Sequence, residues 1–371
     1  MAIAGGGTLQ QQIRFCKTPD GVRLAYAIVG KGPPLVKASN WLSHVEYDWR
    51  SPVWRPFLEQ LARNRTVIRY DERGCGLSDW DVADLSFESW VCDLETVADA
   101  VKLKRFPLFG ISQGGPIAVA YAVRHPERVS HLILHGAYAR GYRHRDPTPA
   151  QLMEWGALHD LIRIGWGREN PVFRQVFTSL FMPDGSPEQL RWFNDLQRAS
   201  TSPENAARLF AEFGTIDVRE LAPRVTCPTL VLHAREDERV PYEEGRLLAA
   251  LIPNARFVTL ETRNHLLLEG DAAMRHFLSE VDDFLGGDVE PAGEAIPAVA
   301  FAALTARETE ILDLIAQGLD NTAIAPRLQI SGKTLRNHIT NIFAKLGLSS
   351  RAQAIVRARD AGLGRSGSHP T

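Results

Sequence analysis

The chain has 371 residues, of which 44% are hydrophobic and 23% charged, with a formal net charge of -2. A single core rarely grows past ~250-300 residues, so more than one folded unit is expected, and the composition argues against a disordered chain. Four scattered cysteines, Cys16, Cys75, Cys92 and Cys227, lack any metal-ligand spacing, and no stretch holds the ~18 apolar residues of a membrane span. These features argue against a disulfide framework and a zinc site, and favour a cytoplasmic protein without metal or cofactor.

In chain order, "IRFCKTPDGVRLAYAIVG" (13-30) predicts a hairpin turning at Asp20-Gly21. Strands are expected at "PLVKAS", "TVIRYDE", "FPLFGIS", "VSHLILHG", "TLVLHARE" and "ARFVTLE", with helices near 89-102, 114-125 and 271-285. Such alternation implies an α/β fold with a mostly parallel sheet covered on both faces. Residues 141-225 carry Trp, Phe, Leu and Arg at helical spacing without a convincing strand, which predicts a helical lid over the strands' carboxyl ends. A linker follows at 287-303, rich in Gly, Pro, Ala and acidic residues. Beyond it, residues 304-371 hold 9 Lys+Arg against 5 Asp+Glu, a mildly basic module on a chain that is otherwise acidic.

"FGISQGG" places Gly110-Ile111-Ser112-Gln113-Gly114 between a strand and a helix, the context in which G-x-S-x-G presents a nucleophile on a sharp turn. A neutral serine needs a histidine base and a carboxylate to orient that base. Asp237 and His265 follow two later strands, giving the chain order Ser, Asp, His expected of such a sheet. Glu236 competes for the acid role. His276 competes for the base, although its neighbours Met274, Phe277 and Val281 place it on an ordinary helix.

With "DERGCGLSD" (71-79) and "ERVP" (238-241), residues 13-286 resemble the α/β-hydrolase superfamily, in its lid-bearing branch. The resemblance implies an oxyanion hole from the backbone N-H groups of Trp41 and Gln113. One departure stands out: Ser39-Asn40-Trp41 occupies the place where the family commonly has His-Gly. Trp41, Tyr47, Trp49, Trp155, Phe173 and Phe181 suggest an apolar pocket, although each side chain serves ordinary packing equally well.

In the basic module, Thr305 and Glu308 form a capping box, Gly318 suits a left-handed helix stop, Asn321 can cap a second helix to Leu328, and Ser331 a third from Gly332 to Leu346. Leu335, Ile339, Ile342 and Leu346 make its inward stripe. Lys333, Thr334, Arg336, Asn337, Thr340, Asn341 and Lys345 are the candidates for phosphate and base contacts. Residues 304-362 resemble the LuxR-type helix-turn-helix domain, with Leu335-Arg336 where Val-Lys is usual and Pro326 inside the second helix. The resemblance implies a small all-α module that binds double-stranded DNA, with a fourth helix near 350-359 able to pair two copies into a homodimer. Three functions fit: a regulator sensing a small carbonyl compound such as an ester or lactone, a serine hydrolase with an accessory tail, and a catalytically silent receptor.

Overall fold

The computed structural model describes residues 9-286, 304-317, 319, 321-346, 354, 358 and 363. The chain divides into two compact units, 1-281 and 282-371. The linker at 287-303, Gly318 and most of the expected fourth helix lie outside the described residues.

The first unit is built on one eight-stranded sheet: β1 Gln12–Lys17, β2 Arg23–Gly30, β3 Pro34–Lys37, β4 Thr66–Tyr70, β5 Phe106–Ile111, β6 Val129–His135, β7 Thr229–Ala234 and β8 Arg256–Leu260. Their order is β1-β2-β4-β3-β5-β6-β7-β8. The pairs β1-β2 and β2-β4 are antiparallel and the rest parallel. All eight strands coincide with the expected runs to within two residues at either end. The central strands are buried almost throughout because helices cover both faces, leaving no wet side to alternate toward, and they carry only a few buried polar residues such as Lys37, Arg69, His135 and His233.

Along the chain lie α1 Val45–Asp48, α2 Trp54–Leu61, α3 Phe87–Ala100, α4 Gly114–Arg124, then α5 Pro149–Gly165, α6 Val172–Phe181, α7 Pro187–Ser200 and α8 Pro203–Phe213, and finally α9 Tyr242–Leu251 and α10 Ala272–Gly286. The four helices α5 to α8 fill the segment read as a lid. Three of them open on a hydroxyl residue followed by proline. Thr148, Ser186 and Ser202 each accept an N-H from the third residue of the helix, and proline stands where no donor is needed.

Strand order reverses between β3 and β5, so the loops leaving their carboxyl ends diverge and open a crevice. The loop 38-44 leaves one side of it and the turn at Ser112 the other. Ala38 N donates to Phe109 O at 2.8 Å, which locks the two strand ends together.

The second unit contains α11 Ala306–Ala316, α12 Asn321–Arg327 and α13 Gly332–Leu346. The capping box of Thr305 and Glu308 is present. Ser331 Oγ accepts from Thr334 N at 3.1 Å, capping α13. Leu335, Ile342 and Leu346 are buried among Ile311, Leu312 and Ile315, and Ile339 packs against them. Ala354 and Ala358, the described residues of the fourth-helix segment, are buried in the same core. Among the described residues, no helix is long and apolar enough to cross a membrane and no group of side chains suits a metal ion.

Candidate functional site

Ser112 sits at the β5-α4 junction with φ of +52°, a left-handed conformation that a non-glycine residue adopts only under local constraint. Ser112 N donates to His135 O and Gly115 N to Ser112 O, both at 2.9 Å, which holds the sharp turn. The flanking glycines permit it sterically. A Cβ on Gly110 would stand 2.6 Å from Gly114 O, and one on Gly115 would stand 2.3 Å from the Ala137 Cβ.

Asp237 lies in the loop after β7 and is almost wholly buried. Its Oδ1 accepts the backbone N-H groups of Arg239 (2.9 Å) and Val240 (2.8 Å), and its Oδ2 meets His265 Nδ1 at 2.7 Å. Burial alone would raise the carboxyl pKa. The His265 imidazole and these hydrogen bonds outweigh it and leave Asp237 below the usual carboxylate range. His135 Nε2 reaches the His265 backbone O at 3.1 Å, and burial pushes its imidazole down to about 3, so it is a neutral prop. His265 Nε2 is buried and has no hydrogen-bond partner.

Ser112 and His265 line one cavity beneath the lid. No hydrogen bond joins them. The competing candidates are elsewhere: Glu236 is exposed, and His276 is exposed on α10 with Glu280 at 3.4 Å. Of the six aromatics suggested for the pocket, Trp41, Trp155 and Phe181 line it. The other three pack outside it: Tyr47 against Trp192, Trp49 under Arg55 and Phe173 under Arg168. Trp41 is the hub of the wall, stacked on Trp166 at 5.4 Å and ringed by Phe177, Phe181, Phe210 and Phe213. The lining side chains leave about 20 Å³ of free space, room for roughly one water.

The oxyanion expectation needs a correction in one half. Trp41 N-H already donates to the Gln113 side-chain Oε1 at 2.6 Å, and Gln113 Nε2 donates to buried Glu72 at 2.9 Å. Burial raises the Glu72 carboxyl to about 8. The donor is therefore engaged by a side chain that local sequence gives no reason to place there. Among the described residues, Gln113 N-H has no such partner.

The DERGCGLSD turn has a structural task. Asp71 accepts from Val45 N (2.8 Å) and Leu77 N (2.9 Å), fixing the crossing of two loops. Arg73 joins buried Asp93 on α3 (2.7 Å) to Asp20 of the hairpin turn (2.8 Å). Sequence reasoning missed Arg239 and Tyr138, both of which line the cavity. Arg239 stands inside the quoted "ERVP", two residues after Asp237, where its position was the available signal.

On α13, Lys333, Thr334, Arg336, Asn337, Thr340 and Asn341 are all exposed. Lys345 differs from them: its Nζ pairs with Glu308 on α11 at 2.7 Å, and that contact, together with the hydrogen bonds from Thr305, holds the Glu308 carboxyl down to about 2. Pro326 is accommodated within α12.

Comparison with known proteins agrees with both halves. A family model described as the alpha/beta hydrolase fold matches residues 47-272, and one described as bacterial regulatory proteins, luxR family, matches 302-358. The chain is 28% identical over 256 residues to a 2-hydroxy-6-oxo-2,4-heptadienoate hydrolase of Pseudomonas putida, covering 63% of this chain and 83% of that one. It is 27% identical over 244 residues to a pyrrolizixenacetamide deacetylase of Xenorhabdus hominickii, covering 65% and 87%. The solved structure of a hydrolase from Pseudomonas aeruginosa superposes with a TM-score of 0.61 at 25% identity, over 76% of this chain and all of that one.

Proposed function

The chain belongs to the alpha/beta hydrolase fold family and carries a luxR-family regulatory domain, and from that premise we propose that it is a transcriptional regulator whose hydrolase-like unit senses a small carbonyl compound. In this reading Ser112, His265 and Asp237 form a triad whose pocket recognises an ester, lactone or similar group. Exposed Lys333, Arg336, Asn337 and Asn341 on α13 meet DNA, with Arg336 directed at a base edge.

The observation that carries the reading is the Trp41-Gln113 contact. A hydrolase depends on donors waiting for the oxyanion, and losing one costs ~10²-10³ in turnover. A pocket that spends Trp41 N-H on its own glutamine binds a carbonyl without hurrying its hydrolysis. The small free volume adds the second element, since no ligand of several atoms enters unless the lid aromatics move. A ligand that binds the opened form better shifts the lid equilibrium, and a regulator needs such a two-state element.

A second reading, a slow serine hydrolase, is favoured by the strained Ser112 and the Asp237-His265 bond. The test is selection of genomic fragments by the full chain, with and without small aryl esters. Failure to prefer any fragment under either condition removes the regulator reading and leaves hydrolysis alone.

A further inference from the structure

The cavity holds a cation that the proposed chemistry does not use. Arg239 projects from the loop after β7, with its guanidinium carbon 5.5 Å from the ring centres of Trp155 and Phe181 and 5.9 Å from those of Trp41 and Phe210. Aromatic faces solvate the flat faces of a guanidinium, but they accept poorly from the N-H groups around its rim. Among the described residues, Arg239 Nε is buried without a hydrogen-bond partner and the side chain forms no ion pair. Burial lowers the Arg239 pKa to about 10, which leaves it cationic at neutral pH.

The rest of the wall has the same polarity. Trp41, Trp54 and Tyr138 line the cavity, and their Nε1 atoms and hydroxyl are buried without a hydrogen-bond partner among the described residues. No carboxylate is among the lining residues. Glu238, the nearest acid in sequence, is paired with Arg263, and Asp237 is committed to His265 and to the backbone of its own loop. Arg145 also lines the cavity, but its Nε donates to Arg140 O at 2.8 Å and stands 3.7 Å from Glu244, so its charge is already met. A buried donor left unsatisfied is costly, and a charged one more so. Four unpartnered donor groups in one apolar chamber, one of them cationic, are complementary to an anion with several acceptor atoms.

We propose that the cavity takes a carbonyl compound bearing a carboxylate, whose anionic end pairs with Arg239 while its apolar body lies among Trp41, Trp155 and Phe181. This rests on the reading of the cavity as a ligand site and narrows it to an anionic class. A planar carboxylate suits the guanidinium edge, since two parallel N-H bonds can form at once. The aromatic wall then receives the apolar body that joins the two polar ends.

Calorimetric titration of the full chain with 4-oxo-4-phenylbutanoate and with its primary amide separates charge from shape. The acid is expected to bind at least about ten-fold more tightly than the amide, the scale of one charge-assisted pair. In R239M that preference should collapse, and R239K should retain part of it, which guards against a variant that merely misfolds. Equal affinity of acid and amide for the wild-type chain overturns the proposal. Labelling of Ser112 by a fluorophosphonate tells the two failures apart: labelled Ser112 with no preference for the acid rejects the anionic class alone, whereas no labelling and no binding of either probe rejects the ligand site as well.

Discussion

The crevice around Ser112 and the exposed face of α13 satisfy their polar groups in opposite ways. In the crevice, groups are withdrawn from water and then either paired across long sequence distances or left unpaired. Trp41 and Gln113 are 72 residues apart, and His265 and Asp237 are 28 apart. On α13 the candidate side chains offered to solvent, Lys345 apart, form no long-range bond among the described residues, and Thr340 bonds to Arg336 O four residues away. The enclosed site is therefore governed by which donors are already committed, and the open one by which charges are presented. A substitution in the first changes chemistry steeply, because unpaired groups in a low dielectric have no water to fall back on. A substitution in the second changes affinity in smaller steps that salt can screen.

The steepest test is Ser112→Ala. Any hydrolysis of p-nitrophenyl acetate by the wild-type chain should fall by ~10³-fold or more, and fluorophosphonate labelling should vanish. Turnover that survives the substitution would place the reacting group elsewhere. Next comes Gln113→Ala, which releases Trp41 N-H while keeping the backbone N-H at position 113. Freeing one oxyanion donor should raise turnover by up to ~10²-fold. A rate that stays level or falls would show that the glutamine is not what restrains the site.

On the open surface the expected change is smaller. Arg336→Ala should weaken binding to a selected DNA fragment by about ten-fold or somewhat more, the loss of one base-edge contact, without altering ligand uptake in the crevice. A mobility shift with unchanged affinity would remove Arg336 from the interface. The same experiment across salt concentrations should give a negative slope for the wild-type chain, from counterion release.

The two regions were also unequally legible. Although the order of β1 to β8 in the sheet was not read, their positions along the chain could be, because apolar runs bounded by turn residues are local signals. So could α13, whose stripe and cap match residue for residue. Three of the four lid helices start at "TPAQ", "SPEQ" and "SPEN", each a hydroxyl cap followed by proline, a local signal that a reading from spacing alone does not use. Ser112, Asp237 and His265 are candidates because each follows a strand, and the structure brings Asp237 to His265 and both Ser112 and His265 to one cavity. What motif spacing could not supply was the state of the donors. That Trp41 N-H is occupied, and that Arg239 turns inward among rings rather than out to water, depends on packing between segments far apart in the chain. Tyr47, Trp49 and Phe173 were suggested for the pocket on residue type, which does not say which face of an element looks inward.

The smallest expected effect concerns the one candidate on α13 that behaves like a residue of the crevice. Lys345 spends its charge on Glu308, whose carboxyl it helps pull from the ordinary 4.5 down to about 2. Lys345→Ala should therefore leave DNA affinity closer to wild type than Arg336→Ala does, and should instead lower the temperature at which the module unfolds. The pH dependence separates a lost ion pair from lost packing. A carboxyl with a depressed folded pKa contributes its full stability above the unfolded value and loses it as pH falls through the folded one. The gap in unfolding temperature between wild type and Lys345→Ala should be full near neutrality, shrink below about pH 4.5 and close near pH 2. A gap that persists unchanged into acid would mean that the lysine stem, packed against its neighbours, is the part that matters. An equal loss of DNA affinity in the two variants would return Lys345 to the interface, with Glu308 then holding its charge in place for a phosphate.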